Sequence, residues 1–266
     1  MGQPSFTRTS SNFCDWSKGN FFCPLNIQLV GSKIMKTTIG ILGTGRMGVR
    51  LAQMFACTGQ RVILGSRNID RAQRIATALE LETLTAGSYE AAAEADVILP
   101  AMFLRDGLLE ILEPLQHHFD HKVYIDISNP FNDTYTDFIL PWDTSGAEQI
   151  QQRFPRTRVV GAFKNVWWEV FDAPSFGDTV SDVFVVSDDA EAKATILKLG
   201  ENTPFRYIDA GQLSNARTIE RMTLLSGELG QRYGYFPRMN YKLLGEPWTV
   251  GQRDRLSHLI ADQPAA

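Results

Sequence analysis

Thr38-Ile39-Gly40-Ile41-Leu42-Gly43-Thr44-Gly45-Arg46-Met47-Gly48 is the stretch that decides the fold. An apolar run passes without a break into a Gly-x-Gly-x-x-Gly turn. A helical pattern then carries Val49, Leu51, Ala52, Met54 and Phe55 toward Gly59. Strand, glycine turn and helix in that order form the opening of a βαβ unit built to hold a dinucleotide. Each glycine has its own task. Gly43 permits the tight turn, Gly45 lets backbone approach a pyrophosphate, and Gly48 lets helix and strand pack closely. The helix N-terminus adds free N–H groups and the positive end of a dipole, so Thr44, Arg46 and Met47 also belong to the expected cofactor cradle.

Outward from this stretch, strands alternate with helices. Arg61–Leu64, Asp96–Leu99, Val123–Ile127, Val159–Phe163, Val183–Val186 and Phe205–Ile208 are short continuous apolar runs. Helical spacing marks Ile69–Leu81, Leu108–Phe119 and Leu213–Tyr233, the last through Ala216, Ile219, Met222, Leu225 and Leu229. Runs that are continuous rather than alternating imply strands covered on both faces. The expected class is therefore α/β: a Rossmann-type doubly wound, mostly parallel sheet with a C-terminal helical segment.

The residues after the second strand choose the dinucleotide. A site for NAD usually places an acid there to hold both ribose hydroxyls. This chain has Gly65-Ser66-Arg67-Asn68 instead. Ser66 can donate to a 2′-phosphate and Arg67 can pair with it, with Arg46 and Arg71 as further charges. NADP(H) is the expected cofactor, and a solvated loop capped by Arg67 is the plainer alternative. Ala101 and Met102 follow the fourth strand, and Asn129 the fifth, so their loops line the same end of the sheet. Asn129 either bonds a ribose or substrate oxygen or starts a turn before Pro130. Ala162 leaves room for the nicotinamide carboxamide.

These residues, with Ser145-Gly146-Ala147-Glu148 ahead of Arg158–Phe163, Ser187–Lys193 and Asp209–Arg217, resemble the NADPH-dependent coenzyme F-420 (deazaflavin) reductase family, also described as F-420-dependent NADP oxidoreductases. The resemblance spans about residues 37–245. It implies an NADP-dependent oxidoreductase passing hydride between NADP(H) and a deazaflavin or flavin-like acceptor. The departures fall on the substrate side. Phe103-Leu104 stands where the family often has Pro-Trp, and Lys164-Asn165 where it has Asn-Thr or His-Thr. Two other readings therefore stand beside it: NADPH-dependent reduction of an imine or carbonyl, and an NADP(H) sensor without turnover.

Phe103 and Trp167 are the candidate substrate contacts, although neighbouring tryptophans point different ways and Trp167 and Trp168 fit core packing as well. Lys164 is the single candidate catalytic side chain, able to donate a proton if it enters the pocket. The expectation is a surface position, because lysine is rarely buried. Arg217, Glu220 and Arg221 are expected on a solvated or paired helix face. The four histidines form no metal set.

The chain has 266 residues, 44% hydrophobic and 21% charged, which excludes disorder as its main state. Its 26 basic and 30 acidic residues give a net charge of −4, which excludes a generally basic nucleic-acid binder. Cys14, Cys23 and Cys57 are too few for a disulfide framework, and a cytoplasmic setting without membrane or nucleic-acid partners is expected. The expected partners are a small-molecule electron acceptor and a second copy in a homodimer. Residues 1–34 are expected to be an N-terminal extension, flexible or upstream of a natural start at Met35, with no signal peptide or myristoylation motif. Residues 35–210 are then the NADP-binding Rossmann-type domain with its extended sheet, and 211–266 a C-terminal helical segment and tail.

Overall fold

Six strands, β1 (Thr38–Leu42), β2 (Arg61–Gly65), β3 (Leu84–Gly87), β4 (Val97–Pro100), β5 (Val123–Asp126) and β6 (Arg158–Gly161), form one parallel sheet in the order β3-β2-β1-β4-β5-β6. The computed structural model describes residues 37–246, so the expected extension over 1–34 and its start at Met35 lie outside the described residues. The chain builds outward from β1 to β3, returns, and builds outward again from β4 to β6. The reversal beside β1 and β4 opens a crevice at the carboxyl ends of the strands.

Helices cover both faces. α1 (Arg46–Cys57), α2 (Ile69–Leu79) and α3 (Tyr89–Ala93) follow β1, β2 and β3, and α4 (Leu108–Leu112) and α5 (Gly146–Arg153) follow β4 and β5. Two buried apolar layers result. Ile39, Ile41, Leu64, Leu99 and Val160 lie in one, and Leu42, Ile98, Tyr124 and Val159 in the other. This two-sided burial is why the strands are continuous in hydrophobicity. β3 and α3 were not legible as separate elements, being a four-residue strand and a five-residue, Ala-rich helix. The helix expected over Leu108–Phe119 divides at Leu112 into α4 and a 3-10 segment, Glu113–His118, because Pro114 has no N–H for the α-helical ladder.

The later chain differs from expectation in two places. After α6 (Trp168–Asp172), a small antiparallel hairpin, β7 (Ser175–Phe176) and β8 (Thr179–Val180), reverses the chain before β9 (Asp182–Val185). β9 pairs in parallel with β10 (Arg206–Asp209) across α7 (Ala190–Gly200), and this two-stranded sheet meets β6 only at an antiparallel bridge, Gly161 with Val186. The two strands therefore do not extend the six-stranded parallel sheet.

α8 (Ala216–Arg232) also turns a different side inward. Its buried residues are Ala216, Ile219, Glu220, Thr223, Ser226, Gly227 and Gly230, while Leu225 and Leu229 of the expected apolar stripe are exposed. The polar buried side reflects what it packs against, the ammonium and backbone oxygen of Lys164 and the indole N–H of Trp167. No helix among the described residues is long and apolar enough to cross a membrane.

One ion pair fastens α7 to the sheet and makes acid stability testable. Asp189 caps α7 by accepting from the Ala192 N–H and receives two bonds from Arg158 of β6, at 2.6 and 2.8 Å. Those Arg158 hydrogen bonds, against the upward push of burial, hold the Asp189 carboxyl down at about 2 from an ordinary 3.8. A depressed carboxyl stabilises the fold fully above its unfolded value and loses that contribution as pH falls through the folded one. Asp189→Asn keeps a capping oxygen but not the charge. It should lower stability near neutral pH and flatten the stability profile between about pH 4 and 2 in acid titrations followed by circular dichroism. A variant with the parent's acid limb would show that the pair contributes nothing.

Candidate active site

The glycine turn is shaped as its sequence requires. Gly43 has φ +128°, a region that disfavours side chains, and a Cβ on it would stand 2.9 Å from the Ala101 carbonyl oxygen. A Cβ on Gly48 would stand 2.0 Å from the Gly43 oxygen, so α1 is seated directly on the turn. Gly45 is the opposite case. It lies at the start of α1, where no atom of the described residues comes within 4 Å of its would-be Cβ and none of their side chains caps the helix. Free N–H groups beside open space form an anion seat of the kind a pyrophosphate fills.

Around this seat, Arg71 extends from α2 and donates to the Thr44 oxygen at 3.0 Å, tying the turn to the next helix. Asn68 caps α2, its Oδ1 accepting from the Arg71 N–H. Ser66 is buried and accepts from the Asn68 N–H, whereas Arg67 is exposed. Of the residues expected at the 2′-phosphate, Asn68 thus has a structural duty, and Ser66 and Arg67 stand at the end of β2. Arg46, the first residue of α1, lies over the Trp168 ring at 4.9 Å. Arg50, one turn on, makes a two-pronged pair with Asp172, holding α6 against α1. Met47 is partly buried against the core.

On the other half of the crevice, the Ala101 N–H donates to the Leu42 oxygen, and the partly buried Met102 accepts from the Tyr89 hydroxyl. Phe103 makes an edge contact with Tyr135 and carries the Arg105 guanidinium 4.5 Å from its ring. Ala162 is fully buried beneath β5, its N–H bonded to the Asp126 oxygen. Trp167 is buried among Phe131, Trp168 and Phe236, and its indole N–H donates to Ser226 at 2.9 Å. These contacts match core packing. Of the two tryptophans, the partly buried Trp168 is the one beside the first turn of α1.

Lys164 overturns its expected surface position. Its side chain is 1% exposed, and three oxygens surround the ammonium: Ser128 O at 2.5 Å, Glu220 Oε1 at 2.7 Å and Asp126 Oδ2 at 2.6 Å. The first two are directed hydrogen bonds. The third oxygen lies off the bond direction and contributes charge. Burial alone would push the lysine down, but Asp126 and Glu220 outweigh it and hold the ammonium protonated more firmly than in water. Glu220 is pushed up, first by burial and then by Asp126, with Lys164 opposing.

The local chain is built for this arrangement. Phe163 adopts φ +56°, a left-handed conformation costly for a bulky residue, and its ring is wedged among Phe55, Phe171 and Tyr207. A Cβ on Gly161 would stand 3.2 Å from Lys164 Cε, and one on Gly146 would stand 3.4 Å from Glu220 Oε1. Gly161 therefore leaves room for the lysine stem as well as for Val186, which would stand 2.8 Å from the same Cβ, whereas 3.4 Å at Gly146 is ordinary contact. Asp126 escaped sequence reasoning, and Glu220, expected on a solvated or paired helix face, is paired but buried. The only available sign was an acid inside the apolar run Val123-Tyr124-Ile125-Asp126-Ile127, and Glu220 had none beyond helix spacing.

Comparison with known proteins adds the following. Residues 38–130 match the family model for NADP oxidoreductase, coenzyme F420-dependent. The F420-dependent NADP reductase of Methanothermobacter thermautotrophicus is 32% identical over 209 residues, which cover 73% of this chain and 89% of that protein. The protein of the same name from Methanocaldococcus jannaschii is 29% identical, covering 73% and 93%. A crystal structure from Arthrobacter sp. FB24, titled a putative F420 dependent NADP-reductase, superposes with TM-score 0.66 at 24% identity, covering 79% of this chain and all of that one. That last likeness shows the fold.

Proposed function

The chain belongs to the coenzyme F420-dependent NADP oxidoreductase family, and from that premise we propose that its strand-end crevice binds NADP(H) for hydride exchange with a deazaflavin acceptor. The observation that carries the reading is the pairing of an open, uncapped anion seat at Gly45 with Ser66-Arg67 where a dinucleotide site for NAD would hold an acid.

The first turn of α1 and the Gly43–Gly48 loop would take the pyrophosphate, and Ser66 and Arg67 the 2′-phosphate. Arg46 stands at the first of these positions and can exchange its stacking on Trp168 for a phosphate. Ala101, Met102 and Asn129 line the crevice toward the switch between β1 and β4, where the nicotinamide half belongs in this fold. The bound dinucleotide supplies the hydride chemistry. The protein's part is to hold two flat rings in register and to exclude water. No proton donor is required for that task. Lys164, buried and hydrogen-bonded to Ser128 O and Glu220 Oε1 beside the Asp126 charge, is not free to serve as one.

The test is anaerobic NADPH oxidation followed spectrophotometrically against a panel of deazaflavin, flavin, imine and carbonyl acceptors. Rapid oxidation with the deazaflavin is the expected result. Turnover confined to imines or carbonyls would replace the acceptor, and tight NADPH binding without turnover on any acceptor would mark a sensor.

A further inference from the structure

Lys164 grips the segment after β5 from two directions. Its ammonium bonds the Ser128 carbonyl oxygen, the peptide group that leads into Asn129. Its own backbone oxygen accepts from the Asn129 side-chain N–H at 2.8 Å and from the Thr223 hydroxyl at 2.7 Å. Both the backbone and the amide of Asn129 are thus set by one residue, itself anchored to Asp126 of β5 and Glu220 of α8.

The consequence is an unpaired acceptor. With its nitrogen committed to Lys164, Asn129 leaves Oδ1, and this oxygen is buried with no hydrogen-bond partner among the described residues. A buried acceptor left unpaired costs free energy that a donor would recover, and such groups are uncommon in folded proteins. Asn129 stands at the carboxyl end of β5, beside β4 and the topological switch. Resting on the NADP(H) reading of this crevice, we propose that Lys164 is a positioning residue, which holds Asn129 so that its Oδ1 accepts an N–H or O–H from the nicotinamide-ribose half of the dinucleotide.

The test separates the two halves of the cofactor. Adenosine 2′,5′-bisphosphate carries the adenosine and its 2′-phosphate but no nicotinamide. Lys164→Met combined with Glu220→Gln removes one buried charge of each sign, so the cluster keeps its net charge. In this variant and in Asn129→Ala, the Kd for NADPH should rise about five- to tenfold while that for adenosine 2′,5′-bisphosphate stays at the parent value. Combining all three changes should add little, because one contact is lost in each case.

Parent affinity for NADPH in the folded double variant overturns the proposal. So does a parallel loss for both ligands, which reports general damage to the sheet. If the double variant does not fold, Lys164→Arg decides. It keeps the charge for both carboxylates, but a planar fork cannot stand at the ammonium's place among three acceptors, and the same split is expected. Parent NADPH affinity in Lys164→Arg overturns the proposal equally. Failure of the parent protein to bind NADPH at all is a different result, and it removes the reading of the site itself.

Discussion

Ser66→Asp should turn the protein from NADPH toward NADH. The serine at the end of β2 is buried, and its hydroxyl can donate to a 2′-phosphate. Replacement removes a hydrogen bond to a charged group, about 1.5–3 kcal/mol. It also sets a carboxylate against the phosphate, which adds a repulsion of about the same size in a partly screened site. Together these should weaken NADPH binding about a hundredfold or more. NADH carries no such phosphate, and the new carboxylate can accept from its ribose hydroxyls, so its binding should hold or improve. The change is tolerable to the fold because an Asp oxygen can still accept from the Asn68 N–H that Ser66 now satisfies. Calorimetric Kd values for the two cofactors decide the matter, and an unchanged ratio would place the 2′-phosphate elsewhere.

Lys164→Met, made alone, should cause a large loss of stability. It leaves Asp126 and Glu220, both about 1% exposed, without the cation that stands 2.6–2.7 Å from each. Breaking a buried pair from one side costs about 3–5 kcal/mol, which for a domain of this size lowers Tm by about 10 °C or more. The sign of its pH dependence follows from Glu220. That carboxyl is already raised by burial and by Asp126, and Lys164 is what opposes the rise. Without the lysine it rises further. A group with a raised folded pKa stabilises at low pH and loses that contribution as pH climbs through the folded value. The deficit of Lys164→Met against the parent should therefore shrink toward acid pH and widen toward alkaline pH, and the part that adding Glu220→Gln recovers should grow in the same direction. Thermal melts across pH measure this, and a deficit independent of pH would mean that the cluster is not ionised as drawn.

These two predictions rest on different sources of information. Ser66 was legible because it belongs to a local pattern, in which a strand, a glycine turn, a helix and a second strand follow one another within thirty residues. The same locality made β1, β2, β4, β5 and β6 legible, each a short continuous apolar run between helical stretches. At α8 hydrophobic periodicity, which fits either packing or a dimer surface, found only part of the buried side, Ala216 and Ile219. Leu225 and Leu229 satisfy a helical stripe, yet it is Glu220, Thr223 and Ser226 that turn inward. Their partners, the Lys164 ammonium, the Lys164 carbonyl and the Trp167 indole, lie more than fifty residues away. Trp167 was open to two readings for the same reason, and only its bond to Ser226 shows which way the ring faces.

By itself, the sequence determined the class of fold and the choice of NADP(H), and it offered the Gly43–Gly48 turn as the proposed phosphate seat, because each depends on residues adjacent along the chain. The tertiary structure decided where Lys164, just after β6, goes. Burying an ammonium is prohibitive without compensating charge. Its fate therefore depended on an acid from β5, an acid from α8 and the space left at Gly161, three residues scattered over almost a hundred positions and joined only by folding.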